Sequence, residues 1–327
     1  MKLIHLYNLL LLITVSSLPY SSFAQERPLL SITVNESSYQ QQRDEDLSRP
    51  EIQNESRILP IWGNEARARG YELPEPFGIG YGYMNLRQDV VVDKIAFIFP
   101  KNPLIAESTK IKAGHTREKN ESHMLKLDTW ILPFLNVYGV YGKTKGSSKT
   151  TIDNVTFSGI DLPFAKGTPF VLDFEGKTYG GGAVLAGSYK QFFATLDANY
   201  TRTNLDILDG DISALVITPR IGYEFTFQPL LSEQGSTKVQ VWVGAMYQDI
   251  TQRFKGNINN LNLPEPFASL IRSLDDTGMK FDVKQHLAHK WNNTIGTRIE
   301  ITRNFNILSE VGFSNRNSFY ISGELRF

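Results

Sequence analysis

The chain has 327 residues and no cysteine. Exported domains often use the oxidising compartments outside the cytoplasm to form stabilising disulfide bonds. A chain without thiols must take its stability from extensive burial or from a surrounding membrane. A barrel in lipid provides both, because every strand is paired and no sheet edge is left open.

Long apolar runs and excess charge are also missing. After residue 24 no uninterrupted apolar stretch reaches the ~20 residues that a transmembrane helix needs, which excludes a helical membrane protein and leaves a soluble protein or a β-barrel. Lys plus Arg and Asp plus Glu each total 34, so the formal net charge is zero. The basic surface of a nucleic-acid-binding protein is absent. Nucleic acid is therefore not expected as a partner.

The first 24 residues have the pattern of a secretory signal peptide. A short polar start with Lys2 precedes the apolar residues 9–15, and Ser22-Phe23-Ala24 places small residues at the positions that a signal peptidase prefers. We expect cleavage after Ala24. An uncleaved membrane anchor is the alternative, and the shortness of the apolar run disfavours it.

Residues 25–76 do not have a strand pattern. The stretch from Asn35 to Arg57 is polar and almost free of large apolar residues, so it cannot offset the entropy of ordering. We predict a partly disordered periplasmic extension. Within it, residues 58–70 mix apolar and basic side chains and could enter the barrel as a plug or rest against its rim.

The last nine residues alternate strictly. Phe319, Ile321, Leu325 and Phe327 share one face with Gly323, and polar side chains occupy the other face. Such a strand, ending in Phe, resembles the assembly signal of Gram-negative outer-membrane proteins. The resemblance is to that broad class only, and it rests on the signal peptide, this strand and the general strand pattern. It implies an all-β fold, a closed antiparallel transmembrane β-barrel, that inserts through the barrel assembly machinery into outer-membrane lipid.

The same alternation recurs upstream in runs of about ten residues, the length that a tilted strand needs to cross a membrane. We predict a barrel over residues 77–327 with about twelve strands, ten to fourteen being possible. The predicted strands are 77–86, 89–99, 109–118, 121–132, 135–145, 177–188, 191–203, 213–227, 237–252, 290–302, 305–314 and 317–327.

The predicted connections differ in length. Short ones at 133–134, 189–190 and 303–304, with modest ones at 100–108 and 228–236, would face the periplasm, and the long ones at 146–176 and 253–289 would be external loops. This arrangement is typical of outer-membrane barrels.

Charged side chains lie on the face opposite the apolar one, where a barrel has its interior. The predicted lumen-lining residues are Lys126, Asp128, Asp197, Arg220, Glu224, Arg298, Glu300, Glu310, Glu324 and Arg326. Charges of both signs either neutralise one another across a filled interior or line a narrow wet channel.

The leading functional hypothesis is a barrel without catalytic activity, cofactor or metal, serving as a narrow porin-like channel for a small polar solute or as a cell-envelope surface protein. The alternative is an adhesin that binds an external surface partner through loops 146–176 and 253–289. An outer-membrane hydrolase using Asp275 and Asp276 with His286 or His289 is a weaker hypothesis, since sequence cannot show that these groups converge on one water.

Overall fold

The computed structural model describes residues 58–68, 73–98, 109–157, 159–161, 166–206, 210–228, 236–257 and 278–327, with the isolated residues 230 and 269. The predicted signal peptide and residues 25–57 of the predicted extension lie outside these ranges. The elements are one helix, α1 (Gly63–Ala68), and the strands β1 (Phe77–Ile98), β2 (Thr109–Leu132), β3 (Leu135–Phe157), β4 (Ile160–Asp161), β5 (Pro169–Tyr189), β6 (Phe192–Leu205), β7 (Asp211–Phe227), β8 (Thr237–Asn257), β9 (Lys280–Leu287), β10 (Trp291–Thr302), β11 (Phe305–Phe313) and β12 (Arg316–Arg326).

Ten of the strands form a closed antiparallel ring, in the order β1-β2-β3-β5-β6-β7-β8-β10-β11-β12. The ring closes where β1 pairs with β12, from Gly78 opposite Arg326 to Gln88 opposite Arg316. We call the end with Phe77 and Phe327 the lower end and the opposite end the upper end. The prediction of a closed antiparallel β-barrel is confirmed, and the ring has ten strands, the lower limit of the predicted range.

Two pairs of predicted strands are in fact single long strands. The predicted breaks at 87–88 and 119–120 do not exist, because β1 and β2 run through them, paired from Phe77 opposite Thr129 to Val90 opposite Thr116. Both faces carry polar residues there, which hid the continuity. Joining the strands also puts Ile98 and Thr109 at the upper end, whereas the connection 100–108 between them was predicted to face the periplasm.

The two predicted long external loops contain strands. β3 continues to Phe157 and β5 begins at Pro169, which replaces most of the predicted loop 146–176. β8 continues to Asn257, and β9 lies within the predicted loop 253–289. β9 is outside the ring and pairs with β8 on one side and with β1 on the other.

Above the ring the strands separate into two sheets, which together form what we call the head. Pairing of β1 with β2 ends at Val90 and Thr116, and pairing of β5 with β6 ends at Gly176 and Leu205. Between these two breaks, β8-β9-β1 form one sheet and β2-β3-β5 form the other. The head comprises residues 90–98 of β1, 109–116 of β2, 150–157 of β3, 169–175 of β5, 211–214 of β7, 250–257 of β8, and β9.

The outer surface of the ring is apolar, and aromatic rings border it above and below. Leu127, Ile221 and Val243 are 55%, 59% and 57% exposed. A continuous apolar surface of this kind is rare on a protein surrounded by water. We call this surface the apolar belt. Its upper border carries Tyr81, Tyr141, Tyr179, Tyr200 and Trp291, and its lower border carries Phe77, Tyr189, Phe192, Phe227 and Phe327.

The segment preceding β1 contacts the lower end. The backbone N–H of Ile61 donates to the carbonyl of Ile131 at the end of β2, over 2.8 Å. Helix α1 follows with six residues, which is too short to cross a membrane, and no helix among the residues described could do so.

Candidate functional site

The structure places the ten predicted lumen-lining side chains inside the ring. Asp128, Glu224 and Glu310 are buried, and the side chain of Lys126 is 29% exposed. Alternation along the strands accounts for this placement, because the belt residues between them point outwards. Eight of the ten take part in two clusters, and Glu224 and Glu300 are also buried and face inwards.

The lower cluster consists of Lys126, Asp128, Arg298, Glu324 and Arg326. The Lys126 ammonium group lies 3.1 Å from the Glu324 carboxylate and 3.5 Å from Asp128, and Arg326 donates to both carboxylates. Arg298 adds a longer contact to Glu324, at 3.5 Å. Such pairing offsets the cost of removing charges from water. The lower cluster therefore lies in the lumen near the ring closure with its charges paired.

The middle cluster is built around Glu310. Arg220 donates twice to its carboxylate, over 2.7 and 3.1 Å, and the indole N–H of Trp242 donates a third bond of 2.7 Å. On the other side Arg220 lies 3.8 Å from Asp197, which accepts a 2.6 Å bond from the hydroxyl of Tyr138. The two clusters neutralise most of the charge that a lumen could present to a solute.

Above these clusters lies a layer of buried polar side chains. Gln252 donates to one oxygen of Glu118 over 3.0 Å, and Gln285 donates to the other over 3.5 Å. Glu118 is fully buried, and this burial raises the pKa of its carboxyl, an effect that the hydrogen bonds from Gln252 and Asn120 oppose. Arg316 approaches the layer from β12 through Gln88, at 3.5 Å.

The head encloses a hydrophobic core directly above this polar layer. Phe254 and Phe281 are completely buried, and Phe254 packs on Phe174 of the facing sheet, with ring centroids 5.3 Å apart. The buried core residues are Val90, Ile95, Phe97, Ile152, Val155, Phe170, Leu172, Phe174, Ile212, Ile250, Phe254, Met279, Phe281, Val283 and Leu287. This core packs the two sheets of the head against each other above the lumen.

The sequence carried a signal for this core that the strand assignment missed. In β5 the even-numbered Phe170, Leu172 and Phe174 are apolar and buried, whereas further along the strand the odd-numbered Tyr179 and Leu185 are apolar and exposed. The period stays at two while its phase reverses. Such a reversal marks the height at which a strand leaves an apolar exterior and enters an apolar interior.

The histidines proposed for a hydrolase lie on the outside of the head or near it. Nδ1 of His286 lies 2.9 Å from Asp93 of β1, and both side chains are solvent-accessible. Asp275 and Asp276 are outside the described residues. The neighbouring Ser122 and His123 point to opposite faces of β2, as alternation along a strand requires. Ser122 is buried in the lumen, and His123 is exposed on the belt side. Among the residues described, no three His, Asp or Glu side chains are grouped to hold a metal ion.

The predicted assembly residues lie on the outer face of β12. Phe319, Ile321 and Leu325 are exposed, as is Phe327, whose ring stacks on Phe77 with centroids 6.2 Å apart. Phe77 and Phe327 also exchange two backbone hydrogen bonds of 3.0 and 3.1 Å. These residues therefore complete the ring closure at its lower end.

Comparison with models of protein families found no match, and comparison with curated proteins found none either. Among solved structures, the transport unit of the autotransporter AIDA-I from Escherichia coli is similar at 9% identity and a TM-score of 0.34, covering 76% of this chain and 90% of that one. The β domain of the Bordetella autotransporter BrkA is similar at 10% identity and a TM-score of 0.33, covering 77% and 100%. Omp33 of Acinetobacter baumannii has 9% identity and a TM-score of 0.19, covering 78% and 99%. At these scores the barrel assignment rests on the hydrogen-bonded ring itself.

Proposed function

We propose that this chain is an outer-membrane surface protein: a barrel anchored in lipid by the apolar belt, which carries the sealed head into the extracellular space. The observation that carries the proposal is the reversal of polarity between ring and head. Most apolar side chains of the ring point outwards, with Trp130, Phe193 and Trp242 as buried exceptions, and the apolar core of the head points inwards. Outward apolar side chains are stable against hydrocarbon, and inward ones are stable in an aqueous surrounding.

The dimensions support the membrane location. From Phe192 to Tyr200 β6 rises ~26 Å along the strand, about 20 Å along the barrel axis at the usual tilt of ~40°. Adding the bordering aromatic rings brings this close to the ~25 Å apolar band of outer-membrane barrels. β3 then continues from Tyr141 to Phe157, ~50 Å of further strand. The head therefore extends well beyond the lipid.

A surface role is favoured over transport because the core of the head lies across the lumen. A narrow channel is the second candidate, since the lower and middle clusters present charges of both signs, as the linings of aqueous pores do. Passage through the upper end would require the two sheets to part around Phe254 and Phe281, both fully buried. The outer faces of the head would then be the surface offered to an external partner, in place of the loops that sequence predicted.

The absence of cysteine permits a direct test of orientation. Lys149 is exposed on β3 near the head, and Gln228 is exposed just after β7 at the lower end. In intact cells Lys149→Cys should react with a polymer-linked maleimide too large to cross the outer membrane, and Gln228→Cys should react only after the membrane is permeabilised. Labelling of Gln228→Cys alone in intact cells, or recovery of the unmodified chain outside the outer-membrane fraction, would refute the proposal.

A further inference from the structure

The outer surface has a groove of about 420 Å³ at the upper border of the apolar belt, between β1, β2, β3 and β5. We call it the boundary groove. It is lined by Tyr81, His123, Leu125, Tyr141, Gly142, Lys143, Lys177 and Asp206. Most of its surface is apolar, and its upper wall is charged. A groove of this kind can hold a ligand that is apolar at one end and charged at the other.

Strand register places the two kinds of side chain in adjacent rows. Tyr81, Leu125 and Tyr141 are paired across β1, β2 and β3 and form the lower row. One step above them, His123 is paired with Lys143, and Lys143 with Lys177 of β5. Tyr81 donates or accepts a 2.7 Å hydrogen bond with Nδ1 of His123, which ties the two rows together.

The pairing of Lys143 with Lys177 is electrostatically unfavourable by itself. Side chains directly opposite one another on neighbouring strands lie close enough for like charges to repel. Glu175 neutralises the charge of Lys143 through an ion pair, and Asp206 lines another wall of the groove. Lys177 has no ion-pair partner among the residues that the structure describes. An anion beside Lys177 would supply the counter-charge that Glu175 gives to Lys143.

We infer that the boundary groove binds a lipid of the outer leaflet whose headgroup carries a phosphate. The phosphate lies against Lys143 and Lys177, and an acyl chain follows the apolar row over Leu125 and Tyr141. This inference rests on the proposed membrane location, which brings the groove to the level where headgroups meet hydrocarbon. A free phosphate would leave the apolar part of the groove unfilled, so the lipid is the occupant that matches both rows.

The test uses the full mature chain refolded in a nonionic detergent and titrated with phosphatidylglycerol, with bound lipid counted by native mass spectrometry. The double variant Lys143→Gln with Lys177→Gln should bind at least tenfold more weakly than the wild type. The control Lys119→Gln with Lys149→Gln loses the same charge from exposed positions of β2 and β3, above the groove, and should bind like the wild type. A gel heat-shift measurement establishes that both double variants are folded.

Three results would overturn the inference: equal weakening in the control, displacement of the lipid by inorganic phosphate at equal concentration, or equally strong binding of an uncharged monoglyceride. The first indicates diffuse charge attraction, the second a phosphate site alone, and the third a purely apolar groove. Because the titration is made in detergent, its outcome is independent of cell fractionation. The boundary groove and the membrane location can therefore fail separately.

Discussion

Phe174 of β5 and Phe254 of β8 meet inside the head with their ring centroids 5.3 Å apart. The two residues belong to opposite sheets, so their contact joins the sheets across the axis of the barrel. Phe254 and Phe281 have no exposed surface. The two sheets of the head are thus held together by hydrophobic packing.

Phe254→Ala tests whether this packing stabilises the head. Removing a fully buried phenyl ring leaves a cavity and should cost about 3–5 kcal/mol. The loss should fall on the head, because the ring is stabilised separately by its own pairing and by lipid. On intact cells, external protease should cut the head of the variant faster, whereas the gel heat shift of the barrel should persist.

Val91→Ala is the matched control for that substitution. Val91 lies on β1 in the head but is 44% exposed, so its truncation should change protease sensitivity little. Equal sensitivity of both variants would show that Phe254 does not carry the stability of the head.

Glu118→Gln tests the buried carboxyl beneath the core. Burial raises its pKa above that of an unfolded glutamate, so the native state holds the proton more tightly than the unfolded state does. By linkage the stability associated with this group is complete below about pH 4 and falls as pH rises through the folded pKa. The amide of the variant cannot ionise, so the variant should gain stability over the wild type with rising pH. Urea unfolding followed over a pH series measures the difference, and a constant difference would contradict the assignment.

Glu310→Gln tests the middle cluster. The substitution removes the charged acceptor of two bonds from Arg220 and one from Trp242, and leaves the guanidinium group with Asp197 at 3.8 Å. Breaking one partner of a buried ion pair should cost about 3 kcal/mol. Urea unfolding of the reconstituted barrel gives the value.

Asp249→Asn provides the comparison, because its ion pair with Lys290 is about half exposed, at 47% for each side chain. An exposed pair is screened by water, so its loss should destabilise the chain much less than the loss of the Glu310 carboxylate. Similar losses in the two variants would mean that the middle cluster is no more important than a surface contact.

Phe327→Ala tests the expected recognition of the last strand by the barrel assembly machinery. Phe77→Ala removes the same ring stacking, so it serves as the control for stability. In cells, Phe327→Ala should lower the amount of inserted barrel severalfold more than Phe77→Ala, and refolding in detergent should be alike. If the two variants insert equally well, Phe327 contributes only its stacking on Phe77.

The ring could be predicted from the sequence because one physical rule governs it. Along β12 and β6 most apolar side chains point outwards, although Phe193 of β6 is buried, and alternation places the strands and the inward charges. The number of strands in the ring was harder to predict. Polar residues on both faces of β1 around Arg87 and of β2 around Lys119 broke the alternation, although the backbone pairing continues there.

The head could not be predicted in the same way because its strands obey the opposite rule. In β8 the outward Val241 and Val243 give way to the inward Ile250 and Phe254. A search for strands whose apolar residues point outwards therefore stops at this reversal. The rest of the strand is then assigned to a loop. The boundary groove depends on the register of neighbouring strands, and register between distant segments is not contained in the local pattern.

Conductance across a planar lipid bilayer tests the central claim most directly, the claim that the head seals a lipid-anchored barrel. The purified, folded chain should insert without producing current steps. Phe254→Ala with Phe281→Ala should begin to leak, because the packing above the polar layer is then removed. Regular single-channel steps from the wild-type chain would contradict the sealed head and establish the channel instead.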